Sequence, residues 1–307
     1  MSILVGTGGW SYFNVPGDRL THYSKAFKVV EVNSTFYEMP DSRRVKSWRK
    51  RVHNDFSFTV RCNRRLTHNI GLKPVDEAFK IYDKMVDICE LLRSKILHLQ
   101  TSKDSRIEIE EVQDFFSSIS RDVKLVWEVR GEKIMEEEFR RRLYNLMEDY
   151  GVIHCVDLSV DEPAHVNDEV TYTRLFGKGD HNLWQFDDLE LKSVKERIVK
   201  QNSRIAIAIA HTKKMYLDAA RLMQYVEDGS YLQTTKSEGL DAVIEVLRED
   251  AVFPCTKNQL INAQGWKVFD VSKGRRERLS TILEKIPNRT YKNMSALKVH
   301  LKTISIE

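Results

Sequence analysis

The chain has 307 residues, 41% of them hydrophobic, with 49 Lys and Arg against 45 Asp and Glu and four Cys. Those figures exclude a disordered chain, a collagen-like fibre and a disulfide-stapled mini-protein. The formal charge of +4 is unevenly spread: residues 252–307 carry eleven Lys and Arg against four Asp and Glu, so a basic C-terminal stretch follows a slightly acidic body.

In chain order, short β-branched runs near 3–6, 28–33, 56–61, 95–100, 123–129, 152–157, 170–175 and 204–210 read as strands. Stretches of helical period lie between them. Asp41 is the expected N-cap of a helix through Val45 and Trp48. Ala78, Tyr82, Met85, Cys89 and Leu92 recur at helical steps within 75–93. Further helices are expected near 108–119, 134–149, 188–202 and 213–227, with only a turn between the sixth and seventh strands. Eight strand-and-helix units predict an α/β (β/α)8 TIM barrel over 1–228. The alternative is a doubly wound open sheet. Gly6-Thr7-Gly8-Gly9-Trp10 lacks the third glycine of a dinucleotide fingerprint and the Lys of a phosphate loop, so no nucleotide or flavin cofactor is indicated.

Residues 229–307 are expected to form a small basic α-rich module: a helix near 237–249, a short helix after Phe253-Pro254, a strand over 266–271, a basic helix over 273–286 and a last helix near 294–302. Cys62, Cys89, Cys155 and Cys255 form no C-x-x-C pair, and no signal segment or membrane span is visible. A cytoplasmic protein with reduced thiols and no membrane partner is expected.

Barrel chemistry collects at the C-terminal strand ends, and alternation along each strand decides which side chains face the lumen. Val30 and Val32 suit packing under helices, which turns Glu31 and Asn33 inward; the same parity turns in Glu128 and Arg130, His98 and Gln100, and Thr59 and Arg61. His98 reads most simply as a core residue. Later strands add Asp157, Arg174 and His211, the last out of phase if Ile205, Ile207 and Ile209 face the helices. Loops add Trp10, Tyr12, Tyr37, Arg65 and His68. Glu31, Asn33, His68, Glu128, Asp157 and His211 are the catalytic candidates. Trp10, Tyr12, Tyr37, Arg61, Arg65, Gln100, Arg130 and Arg174 are the substrate-binding ones. Several arginines beside a Gly-rich turn suit a phosphate, whose oxygens match the guanidinium fork. Glu31, Glu128 and Asp157 could instead gather a divalent metal, Mg²⁺ or Mn²⁺, although no H-x-H or H-E-x-x-H spacing accompanies them.

Gly6-Thr7-Gly8-Gly9-Trp10-Ser11-Tyr12 and Val30-Glu31-Val32-Asn33-Ser34-Thr35-Phe36-Tyr37 with Pro40 resemble the paired signature of domain of unknown function 72, the YecE-like proteins. Phe56 to Val60, Arg65, Thr67, His68, Glu128, Arg130, Asp157 and Arg174 extend the resemblance over about residues 1–225, and it implies a TIM barrel without implying a reaction. The chain has His211-Thr212 where that family usually shows two asparagines, and Phe176 within a run usually read Leu-His-Gly.

The reading that follows is a hydrolase cleaving phosphodiesters at the barrel rim, nuclease-like. Its nucleic acid, DNA or RNA, would be held by Lys273, Arg275, Arg276, Arg278 and Lys292 with nearby aromatics. The alternatives are a non-catalytic nucleic-acid or protein-binding adaptor with structural rim charges, and an enzyme acting on a small phosphorylated metabolite.

Overall fold

The β-branched runs become strands and the stretches of helical period become helices. The computed structural model describes residues 1–104, 107–165 and 167–306. Along the chain come β1 (Ser2–Thr7), α1 (Arg19–Ala26), β2 (Val29–Val32), α2 (Ser42–Lys50), β3 (Ser57–Arg61), α3 (Asp76–Leu92), β4 (Ile96–Gln100) and α4 (Ile109–Ser118). Next are β5 (Lys124–Glu128), α5 (Glu137–Asp149), β6 (Ile153–His154), β7 (Val170–Leu175), α6 (Asp188–Lys200), β8 (Ile205–Ala210) and α7 (Met215–Asp228). Local chemistry sets several boundaries: Asp18 and Asp41 accept the backbone N–H groups that open α1 and α2.

The eight strands are parallel in the order β6-β5-β4-β3-β2-β1-β8-β7. The two ends of that sheet meet at a bridge between Val156 and Thr173, so the barrel is nearly closed. β6 is only two residues long, and a side chain completes the seam: Thr173 Oγ1 donates to the Val156 carbonyl at 2.8 Å and accepts from the Leu158 N–H at 3.1 Å. The lumen is packed by Val29, Ile96, Val126, Tyr172, Ile207 and Ile209 among others. Ile207 and Ile209 therefore point inward and the alanines of β8 outward, the reverse of the orientation that would put His211 out of phase.

Gly6 sits where β1 runs beside β2, and a Cβ there would lie 2.1 Å from the Val29 carbonyl oxygen. Backbone cannot move aside as a flexible side chain can. Gly6→Ala is expected to destabilise the barrel by about 1–3 kcal/mol or more, read by denaturant unfolding; an unchanged midpoint would show that the two strands can part without cost.

By contacts the chain divides into two compact units, Met1–Leu175 with Arg197–Ala210, and Phe176–Glu196 with His211–Glu307. The first holds all eight barrel strands. The second contains α7 and then α8 (Gly239–Asp250), β9 (Cys255–Thr256), α9 (Lys257–Gln264), β10 (Val268–Ser272), β11 (Arg275–Arg278), α10 (Ser280–Leu283), β12 (Thr290–Tyr291) and α11 (Met294–Leu301). Val243, Leu247, Leu260, Phe269, Leu283 and Leu297 form part of its core.

The basic helix expected over 273–286 is not formed. β10 and β11 make an antiparallel hairpin, and only Ser280–Leu283 is helical. Gly274, at φ +84, supplies the left-handed residue that a tight hairpin turn needs, and this outweighs the helix propensity of the Arg and Glu residues around it. Among the described residues no helix is long and apolar enough to cross a membrane. The four cysteines are buried and free.

Candidate functional site

Strand alternation brings a ring of charged side chains to the C-terminal ends of the barrel strands. Its centre is Arg174 on β7, 2% exposed. One guanidinium nitrogen lies 3.1 Å from Glu31 Oε1 on β2; the other donates to Glu128 Oε2 on β5 at 2.7 Å and to Gln100 Oε1 on β4 at 3.2 Å. Tyr172, two residues before Arg174 and so on the same face, donates its hydroxyl to Glu31 Oε2 at 2.9 Å and meets the Thr59 hydroxyl at 2.9 Å.

His98 fills the space between the two glutamates. Its Nδ1 is 3.3 Å from Glu31 and its Nε2 3.5 Å from Glu128, with neither nitrogen in hydrogen-bonding geometry. It is wholly buried and stacks on Tyr172, so it belongs to the charged floor as well as to the core.

Arg61, at the end of β3, forms the next layer. It donates to Asn33 Oδ1 at 2.6 Å and to Gln100 Oε1, and its guanidinium lies 3.6 Å from the centre of the Phe36 ring. Phe36 is a hub: Tyr37 and His68 each meet it edge-on at 5.0 Å. Arg130 joins from the loop after β5, bonding Glu128 Oε1 at 2.5 Å.

Three guanidiniums thus face two carboxylates, and the acidities follow. Burial alone would raise the Glu128 carboxyl, but Arg174, His98 and Arg130 hold it well below the usual carboxylate range. Burial would depress Arg174, and Glu31 with Glu128 raise it instead. Arg61 is brought down to about 10 by burial and by Arg174. The His68 imidazole is pushed below its ordinary value by burial and by Arg61, Arg130 and Arg64, against a weaker pull from Glu128. His68 is therefore neutral at pH 7, with Nδ1 2.9 Å from the Thr67 hydroxyl.

The other candidates have contacts of their own. Asp157, in the turn beyond β6, accepts the Ser159 N–H at 2.8 Å and lies close enough to Cys155 to act on its thiol. Arg65 pairs with Glu77, its side chain 65% exposed. His211 falls in the second unit, stacked on Phe176 at 5.0 Å. Trp10 packs edge-on against Trp48 and Phe58, while Tyr12 and Tyr37 are exposed.

In the second unit two of the five basic candidates are engaged internally. Arg276 is buried between Asp188 and Asp270, at 2.9 Å from each. Arg278 pairs with Glu190 at 2.9 Å and lies over the Trp184 ring at 3.9 Å. A sequence count records such arginines as free positive charge because their partners, Asp188 and Glu190, are distant in the chain. Arg275 is exposed and paired with Glu277; Lys273 and Lys292 are exposed.

Of the expected ligands Glu31, Glu128 and Asp157, Glu128 belongs to a set among the described residues that could hold a metal ion: His98, Glu128 and Cys155 each bring a ligand atom within 4.8 Å of the others. Burial keeps the Cys155 thiol protonated, far above its ordinary range, and Arg174 already occupies one oxygen of Glu128. Tyr172, Cys155 and Phe36 were not among the site candidates, although Phe36 lies in the motif that carries the family resemblance. For Tyr172 the signal was present, since it shares the parity of Arg174.

A comparison with curated protein sequences gives no match. Among solved structures, a DUF72 family protein of Enterococcus faecalis V583 shares 16% identity at a TM-score of 0.60, over 77% of this chain and 99% of that one. Another from Thermotoga maritima MSB8 shares 19% at 0.57, over 74% and 100%. At these identities the likeness shows the fold alone. A family 2 AP endonuclease of Brucella melitensis reaches a TM-score of 0.45 at 10% identity, over 74% and 98%, which carries no argument about this chain. The model of the family described as protein of unknown function DUF72 matches residues 4–239, most of the sequence, and the chain belongs to that family.

Proposed function

We propose that the barrel mouth binds a phosphate-bearing anion and hydrolyses its phosphodiester, with His68 as the proton carrier. The observation that carries this reading is the charge imbalance at the strand ends, where the guanidiniums of Arg61, Arg130 and Arg174 face the two carboxylates of Glu31 and Glu128. An excess guanidinium charge in a low-dielectric site favours an anion beside Arg61, and phosphate oxygens are the natural acceptors. Arg130, partly exposed beside it, supplies a second cationic contact.

Glu31 and Glu128 then serve as anchors. Both hold Arg174, and a carboxylate kept ionised by two guanidiniums is a poor base. His68 is neutral and lies within the field of Arg61 and Arg130. In the reaction it takes a proton from water as the water oxygen bonds to phosphorus. The ester P–O bond breaks, and the imidazolium returns the proton to the leaving oxygen while Arg61 and Arg130 stabilise the extra charge on phosphorus-bound oxygens. In the His98, Glu128 and Cys155 set the protonated Cys155 thiol is a poor ligand for Mg²⁺ or Mn²⁺, which favour oxygen donors, and Arg174 competes for Glu128.

Delivery of DNA or RNA by the basic residues of the second unit extends this reading. With Arg276 and Arg278 engaged internally, it rests on Lys273, Arg275 and Lys292.

Assays on bis(4-nitrophenyl) phosphate and on labelled single-stranded DNA and RNA test the proposal. His68→Gln is expected to lower kcat by about 10²–10⁴-fold, and Arg61→Gln to raise KM. Because the active imidazole is the neutral one and its pKa is depressed, the wild-type rate should hold through neutral pH and fall only below the ordinary histidine range. Turnover indifferent to His68→Gln, or no cleavage of any substrate, would overturn it.

A further inference from the structure

Beside Arg61 lies a groove of about 220 Å³ that the phosphate site does not use, lined by Gly8, Gly9, Trp10, Tyr12, Asn33 and Tyr37 among others. We propose that this groove is a stacking subsite for a nucleobase, so that the anion bound at Arg61 is the phosphate of a nucleotide or of a nucleic-acid end. The inference rests on the anion-binding reading above and names its substrate class.

Four observations carry it. First, three aromatic side chains converge on one small cavity, and two of them, Tyr12 at 83% and Tyr37 at 68%, are among the exposed large hydrophobic side chains of the described residues. Exposed aromatics that share one concavity offer the ring faces on which bases stack. Second, the platform is pre-organised: Trp10 is held edge-on by Trp48 at 5.4 Å and by Phe58 at 6.5 Å, and Tyr37 by Phe36 at 5.0 Å. For Trp10 and Tyr37 little side-chain order remains to be lost on binding.

Third, the floor is open backbone. Gly9 adopts φ +120, a conformation L side chains rarely take, and a Cβ there would meet nothing within 4 Å, which leaves room for a flat ligand to approach the chain. Fourth, the groove and the cation share a residue. Asn33 lines the groove, accepts from Arg61 at 2.6 Å and donates to the Gly8 carbonyl at 3.4 Å.

The volume also limits the occupant. It is smaller than the roughly 300–1,000 Å³ of a site that encloses a whole drug-sized ligand, and so suits one ring system of a larger molecule. The Gly9 carbonyl is already met by the Thr7 hydroxyl and the Ser11 carbonyl by Arg19, so the groove offers ring faces in preference to an edge-reading code.

Calorimetric titration of the full chain with inorganic phosphate, ribose 5-phosphate and adenosine 5′-monophosphate tests the inference. The nucleotide is expected to bind roughly 5- to 150-fold more tightly than the sugar phosphate. Tyr37→Ala should bring the two affinities together, and Tyr37→Phe, which keeps the ring, should preserve the gap; Tyr37 is at the surface, and circular dichroism checks the fold of each variant. Equal affinity for the two organic phosphates, or a gap that survives Tyr37→Ala, overturns the stacking subsite while binding of phosphate leaves the anion site standing. Failure of all three ligands to bind overturns both.

Discussion

Replacing Arg174 by Met is expected to cost the barrel about 3–5 kcal/mol, the range for removing one partner of a buried ion network. At roughly 2–4 °C per kcal/mol for a unit of this size, the melting temperature should drop by roughly 6–20 °C at pH 7.5. The reason is what remains behind: Glu31 is wholly buried and Glu128 nearly so, and each would lose its bond to the same guanidinium. The pH dependence gives the sign. In the wild type Glu128 has a depressed pKa, so its contribution is present above the ordinary glutamate range and is lost as pH falls below it. In Arg174→Met the buried carboxyls lack that partner and favour the neutral form, so acidification from pH 7.5 to 5 should narrow the gap between variant and wild type. Adding Glu31→Gln should restore part of the loss. A variant melting like the wild type at pH 7.5 would show that the clamp contributes nothing to stability.

Asp218 in α7 is expected to make the second unit less stable as pH rises from 4 to 7. Burial drives its carboxyl up to about 7, against the pull of Arg221 and of the Thr212 hydroxyl, which donates to Oδ2 at 2.7 Å. Between the ordinary aspartate value and 7 the folded carboxyl keeps a proton that the unfolded chain releases, so folding is favoured at the acid end and the advantage disappears on the way to neutrality. The full effect is on the order of 4 kcal/mol. Asp218→Asn should flatten that slope and be the more stable protein at pH 8. Thermal melts of both proteins across pH 4 to 8 decide it: parallel profiles would mean that Asp218 stays ionised in the fold.

The rigid two-residue period of a strand explains which parts of the site were legible. Glu31, Asn33, Arg61, Gln100, Glu128 and Arg174 all sit within or one residue beyond a strand, where parity fixes the facing side. Arg65 lies past that reach, opening a helical turn whose geometry depends on Gly71 at φ +77. Phe36 could be read from the sequence only as a motif residue, because its role comes from the Arg61, Tyr37 and His68 side chains that lean on it. In β8, isoleucine and alanine are both apolar, so composition could not say which set faced the lumen; packing settled it in favour of the larger side chains, which fill space that alanine would leave empty.

The seam at Thr173 has a consequence for motion. β7 is zipped to β8 along its whole length, while its other flank is tied to the chain after β6 by far fewer bonds. Tyr172 and Arg174, which both hold Glu31, therefore ride on the strand with the freest margin. Amide protons along that margin should exchange sooner than those between β7 and β8, and a ligand pulling on the ring of charges would find its compliance there, in a wall that can breathe without the barrel coming apart.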